Sequence, residues 1–146
     1  ADIITGMVAG EDTIAITGAL KTAIDLSGAG TITGAKTSTG AAGNLATAAT
    51  TELLFSVTAN SALATADFGT LTAVATALNA MFDFTTGPNG PVLALIASSG
   101  AATAHGLYLY TETGATGDDS VSAAELVLLG VITSDAALAA TAVTIA

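Results

Sequence analysis

The chain has 146 residues, with 12 acidic and two basic side chains (formal net charge −10), one histidine and no cysteine. That balance excludes a nucleic-acid partner, since a phosphate-binding face needs Lys and Arg, and it disfavours anionic membrane surfaces. Without thiols there is no disulfide, thiol nucleophile or Cys-type zinc site, and one histidine excludes a multi-His metal site within one chain.

Hydrophobic residues make up 51% of the chain, which separates it from disordered sequences and predicts one folded domain over residues 1–146. From the start, Ile3-Ile4, Ile14-Ala15-Ile16 and Ile24-Asp25-Leu26 read as short strands punctuated by Gly6, Gly10 and Gly18. Residues 27–50, rich in Gly, Ala and Thr, read as loops with a weak strand near Thr31-Ile32-Thr33. Glu52–Thr58 alternates, with Leu53, Phe55 and Val57 on one face and Leu54 and Ser56 on the other.

The spacing predicts one helix, over Asp67–Phe82. Phe68, Leu71, Val74, Ala75, Leu78, Met81 and Phe82 form a single apolar stripe, and Thr65 or Asp67 can cap its start. Thr85–Pro91 reads as a turn. Three more strands follow: Val92–Ala97, Gly106–Glu112 (Leu107 and Leu109 against Tyr108 and Tyr110) and a central Glu125–Ile132. Ala142–Ala146 reads as a last, edge strand. The expected fold is mainly β with one packed α-helix, a β-sandwich or β-roll-like single domain. The apolar runs within the charge-free stretch from Phe84 to Thr111 are broken by Pro88, Pro91 and Gly100, so no transmembrane segment is expected, and no signal-peptide pattern opens the chain.

Chemistry-bearing patterns are sparse. His105 is the only histidine, and neither Ser56, Ser98 nor Ser99 sits in a nucleophile elbow. Gly28-Ala29-Gly30 lacks the third glycine of a dinucleotide fingerprint and reads as a turn. The acidic balance suits calcium best. Placing Glu125 at the twelfth position of an EF-type loop puts Asp118 at the fifth and Val121 at the eighth. Gly114 and Thr116, however, stand where acids belong, and Asp119 replaces the glycine. The same segment also reads as a solvated turn between two strands. Tyr108 and Tyr110 share a strand face; exposed, they form a platform for sugar rings or a subunit contact, and packed under a helix they are core.

Two stretches resemble a known class. Asp2, Ile4, Gly10, Asp12 and Ile14 match the D-x-I-x-x-F-x-x-G-x-D-x-I run that ends calcium-binding RTX β-rolls, with Met7 in place of Phe. Gly106–Thr133 looks like the strand, acidic turn, Ser-Ala-Ala-Glu and Leu-Val-x-Leu-x-Gly-Val ending of RTX-type, type I-secreted bacterial surface proteins, and Thr133–Ala136 with the apolar tail resembles their secretion-signal region. The resemblance implies bacterial export, an extracellular or cell-surface location, calcium-linked folding and use in surface layers, adhesins or fibres. The G-G-x-G-x-D repeats of the rolls are absent, so Asp2, Asp12, Asp118, Asp119 and Glu125 are the candidate calcium ligands. The expected role is a non-enzymatic structural module that associates with copies of itself. The alternative is a glycan-binding adhesin domain that uses Tyr108 and Tyr110. A hydrolase would need converging acids that no pattern provides.

Overall fold

A strand buried on both faces must find a cover for each, and Val92–Ala97 is such a strand: all six residues are buried. The computed structural model of the chain describes residues 1–25, 28–32, 34–38, 43–44, 52–56, 63–84, 91–99, 103–113 and 120–146. In order these form β1 (Asp2–Met7), β2 (Ile14–Ile16), α1 (Gly18–Ile24), β3 (Gly34–Ser38), β4 (Gly43–Asn44), β5 (Glu52–Ser56), α2 (Leu71–Met81), β6 (Phe82–Asp83), β7 (Val92–Ala97), β8 (Ala104–Tyr110), β9 (Leu126–Ser134) and β10 (Val143–Ile145). Short 3-10 turns precede α2, β9 and β10.

Six strands make one mixed sheet in the order β1-β9-β8-β7-β5-β3. The outer pairs β1–β9, β7–β5 and β5–β3 are parallel, and β9–β8 and β8–β7 are antiparallel. β2 and β10 form a separate parallel ribbon, and β4 and β6 a second one. The mainly β class holds. Its layers are one six-stranded sheet with a cover on each face.

Alternation along the strands sorts side chains between the two covers. On one face Leu54, Val92, Ala94, Ile96, Tyr108, Tyr110 and Leu126 pack with Phe68 and with Val74, Leu78 and Met81 of α2. On the other, Leu53, Leu93, Leu95, Leu107 and Ile132 pack with Ile16, Val143 and Ile24, so the ribbon and α1 form the second cover.

The apolar stripe over 67–82 does form a helix, but with a break. Thr65–Gly69 is a 3-10 turn, and α2 begins after Thr70 (φ −94°, ψ 84°). Gly69 is a poor helix former, and the tighter turn buries Phe68. Asp67 caps this turn: its carboxylate accepts from the Ala64 amide at 3.1 Å, and its own amide donates to the Ala64 carbonyl at 2.9 Å. A second helix, α1, takes Ile24, the first residue of the strand expected at 24–26, as its last, with Asp25 as its C-cap. Leu20 and Ile24 lie four apart and both face the second core, a helical spacing hidden by the Ile-Asp-Leu alternation. Extended structure near residue 31 is displaced to β3. Leu26, Thr33, Val57, Thr58 and residues 85–90 of the turn expected over Thr85–Pro91 lie outside the described residues. No helix among the described residues is long and apolar enough to cross a membrane.

Gly106 is required by its neighbour two residues along. A Cβ there would stand 2.5 Å from the Tyr108 hydroxyl oxygen, because the Tyr108 ring lies back over the glycine. That placement lets the hydroxyl donate to the Phe68 carbonyl at 2.9 Å. Gly106→Ala is expected to destabilise the fold by about 1–3 kcal/mol, the usual cost of overpacking. Tyr108→Phe, which removes the hydrogen bond to the Phe68 carbonyl, should cost ~1 kcal/mol. Urea titrations of both variants and of the double variant check this, and the two losses should be non-additive because the residues touch.

Candidate functional site

The tyrosines are core. Tyr108 and Tyr110 are both 0% exposed, on the α2 side of the sheet. Burial raises the Tyr108 pKa well above its ordinary value. The Tyr110 ring meets Phe84 edge to face at 5.5 Å, and its hydroxyl donates to Glu112 Oε2 at 2.7 Å. Of the two readings of this pair, platform or core, the burial fits the core one: both rings turn inward, where α2 needs large apolar partners.

Glu125 is buried, and its oxygens are committed to the protein. Oε1 accepts from the Thr113 amide (3.1 Å) and hydroxyl (3.2 Å), and Oε2 from the Ser122 amide (2.8 Å) and hydroxyl (3.0 Å). Burial alone raises its pKa. The Ser122 and Thr113 amides, the Ser122 hydroxyl and a side-chain hydrogen bond with Glu112 outweigh burial and lower the pKa to about 2. Glu125 thus ties the end of β8 to the start of β9. The Ser122-x-x-Glu125 spacing of a capping box is the sequence signal for this role. Asn79 of α2 adds a second tie that no pattern announced: its Nδ2 donates to the Val121 carbonyl (2.9 Å) and its Oδ1 accepts from the Val121 amide (2.7 Å).

Of the remaining candidate ligands, Asp2 and Asp12 stand at opposite ends of β1. Asp2 begins β1, whereas Asp12 accepts from the Val8 amide at 2.8 Å, just past the other end of that strand. Asp135, which sequence reasoning passed over, accepts from the Ala9 amide at 2.8 Å. Asp118 and Asp119 lie outside the described residues. Among the described residues no three Asp, Glu or His side chains gather as a metal site.

His105 is 1% exposed, between Ala97 and Ile132 on the adjacent strands, and its Nδ1 has no hydrogen-bond partner among the described residues. Burial lowers its pKa to about 4.

What reaches the surface is strand edge. β1 pairs only with β9 and β3 only with β5 among the described residues. Ile3 on β1 is 77% exposed. A bulge at positions 5–6 interrupts the β1–β9 register, with Gly6 at φ +75°, a conformation that favours glycine. Beside β1 an open groove of about 480 Å³ is lined by Ile4, Thr5, Gly6, Met7 and by Asp12, Thr13, Ile14 and Ala15 at the start of β2. A second groove, of about 460 Å³, separates β10 from Thr31, Ile32 and Ala35 at the other edge of the sheet.

Two pH effects follow. The folded protein holds His105 neutral, so its contribution is complete above pH 6.5, falls as pH drops towards 4 and is level below that. The loss is about 3 kcal/mol for a shift of this size. Urea titrations across this range should show the slope in the wild type and lose it in His105→Leu. Glu125 acts lower: its contribution is complete above about pH 4.5 and is lost as pH falls towards 2. Glu125→Gln at pH 7 sets an amide donor against amide donors and should lower stability by about 1–3 kcal/mol, measured by the same titration.

No family model matches the chain, and no curated protein or solved structure is significantly similar to it.

Proposed function

We propose that the chain is a non-enzymatic structural module that assembles outside the cell by pairing sheet edges. The observation that carries this reading is β1, an edge strand with Ile3 exposed in its regular stretch and no basic residue to guard it. An unpaired ladder flanked by apolar side chains is a template for another strand, and soluble proteins ordinarily blunt such edges with Lys, Pro or cover. The second support is the commitment of the polar groups singled out from sequence. The Tyr108, Tyr110, Glu125 and Asp12 side chains each satisfy a partner within the fold. Glycan recognition through Tyr108 and Tyr110 loses its basis with both rings buried.

The RTX-like pattern agrees with a surface role. Its matched residues, Asp2 to Ile14, lie on β1, the connecting turn and the start of β2, where Asp12 holds the turn through the Val8 amide. Export of a bacterial surface protein and calcium-linked assembly belong to this proposal through that resemblance.

Sedimentation velocity and electron microscopy of the purified chain over a concentration series, in calcium and in chelator, test the reading. Ordered oligomers or fibres that grow with concentration are expected. A monodisperse monomer at every concentration in both conditions would sink it.

A further inference from the structure

We propose that His105 is an acid latch: when its imidazole takes up a proton, the β2–β10 ribbon and α1 lift off the sheet while α2 stays seated on the other face.

Placement is the first argument. His105 stands in a row across four strands, with Ile4 of β1, Ile132 of β9 and Ala97 of β7. Leu107 is two residues along β8, so the two side chains share a face of the sheet. That face carries the core that the ribbon and α1 close, with Ile132 and Leu107 in it. His105 is 1% exposed there, and its Nδ1 has no hydrogen-bond partner among the described residues.

Charge is the second argument. A proton taken from water makes both ring nitrogens donors and the ring a cation. A buried cation needs a counter-charge. β7, β9, β2 and β10 carry no ionisable residue, and residues 98–104, which lead from β7 into β8, are Ser, Gly, Ala and Thr. On β8 itself Tyr108 and Tyr110 face the α2 side. α1 brings Lys21, itself a cation, and its cap Asp25, whose Oδ2 accepts from the Gly30 amide. Asp2 is the one acid of β1 and is exposed, as are Glu11, Asp12 and Asp135. Asp12 and Asp135 accept from the Val8 and Ala9 amides. The imidazolium is therefore stable only where water reaches it. Burial accordingly holds the ring neutral down to about pH 4.

The route to water is the third. The two covers are unequal. α2 has eleven residues, Asn79 holds Val121 through two hydrogen bonds, and the Phe68 carbonyl ahead of it takes the Tyr108 hydroxyl. The cover over His105 is a seven-residue helix and a ribbon of three registered pairs, seated by Ile16, Ile24 and Val143. Elements this short have no stability apart from the sheet, so they open before the α2 layer does. Their departure bares Leu93, Leu95, Leu107 and Ile132, an apolar sheet face that the closed molecule hides.

Amide hydrogen exchange tests this, read as protection factors so that the intrinsic pH dependence divides out. An open form with the ordinary histidine pKa of 6.5, against about 4 when closed, is favoured about a hundredfold more at pH 4 than at pH 7. Protection over residues 14–24 and 143–145 should fall by about that factor in the wild type and stay level in His105→Leu. At pH 4 those amides should also be at least about tenfold less protected than residues 71–81, the mark of an opening smaller than global unfolding. The chain has one histidine, so one imidazole resonance reports its titration. In the wild type that titration should track the fall in protection, a readout that stands even if the variant does not fold. Three results overturn the latch: ribbon protection that stays level while the imidazole titrates, equal protection of ribbon and α2 at pH 4, or the same fall in His105→Leu.

Discussion

Everything in this fold follows from β7 having no solvent face. Its six buried residues send Leu93 and Leu95 one way and Ala94 and Ile96 the other, so two separate apolar layers must close over it. A helix supplies one layer, since α2 presents Val74, Leu78 and Met81 along one stripe. The other is assembled from pieces too short to be stable alone: a seven-residue helix and a ribbon of two three-residue strands. Those pieces hold because the sheet offers them Leu53, Leu93, Leu95, Leu107 and Ile132. Burial of apolar area at roughly 25 cal/mol per Å² gives short elements a stability that their own hydrogen bonds do not.

Polar groups inside this frame act as ties between layers. Tyr108 joins the sheet to the 3-10 turn before α2, Asn79 joins α2 to Val121, and Glu125 closes β8 onto β9. His105 is the exception. It occupies a fully enclosed strand position, and its Nδ1 has no partner among the described residues, which costs stability without a tie in return there.

Much of the architecture is legible in the residues. The 3- and 4-residue spacing over 67–82 gives α2, the continuous run Val92–Ala97 gives a doubly buried strand, and the Leu/Tyr alternation of 107–110 correctly divides those side chains between two faces. What is hidden has physical reasons. α1 is only two turns long, so its two spaced apolar residues carry no more weight than a strand-like triplet. Strand order depends on which apolar face finds which, and no local pattern encodes it; the parallel pairing of β1 with β9, over 120 residues apart, is the clearest case. The exposed edge itself is invisible until strand order is known, for Ile3 reads as any core residue. Glu125 reads from sequence alike as a ligand or as a cap, because a carboxylate that accepts four protein hydrogen bonds and one that holds a cation look the same there.

The carboxylate of Glu125 also has a bearing on how this molecule tolerates change. By gripping the Thr113 and Ser122 amides it sets the separation of the two chain ends where β8 leaves the sheet and β9 approaches it. Closure entropy rises only by about 0.6 kcal/mol per doubling of a flexible loop. Foreign sequence inserted directly after Thr113, clear of Val121 and its tie to Asn79, would hang from a fixed anchorage, making this the natural berth for a displayed epitope or an inserted domain.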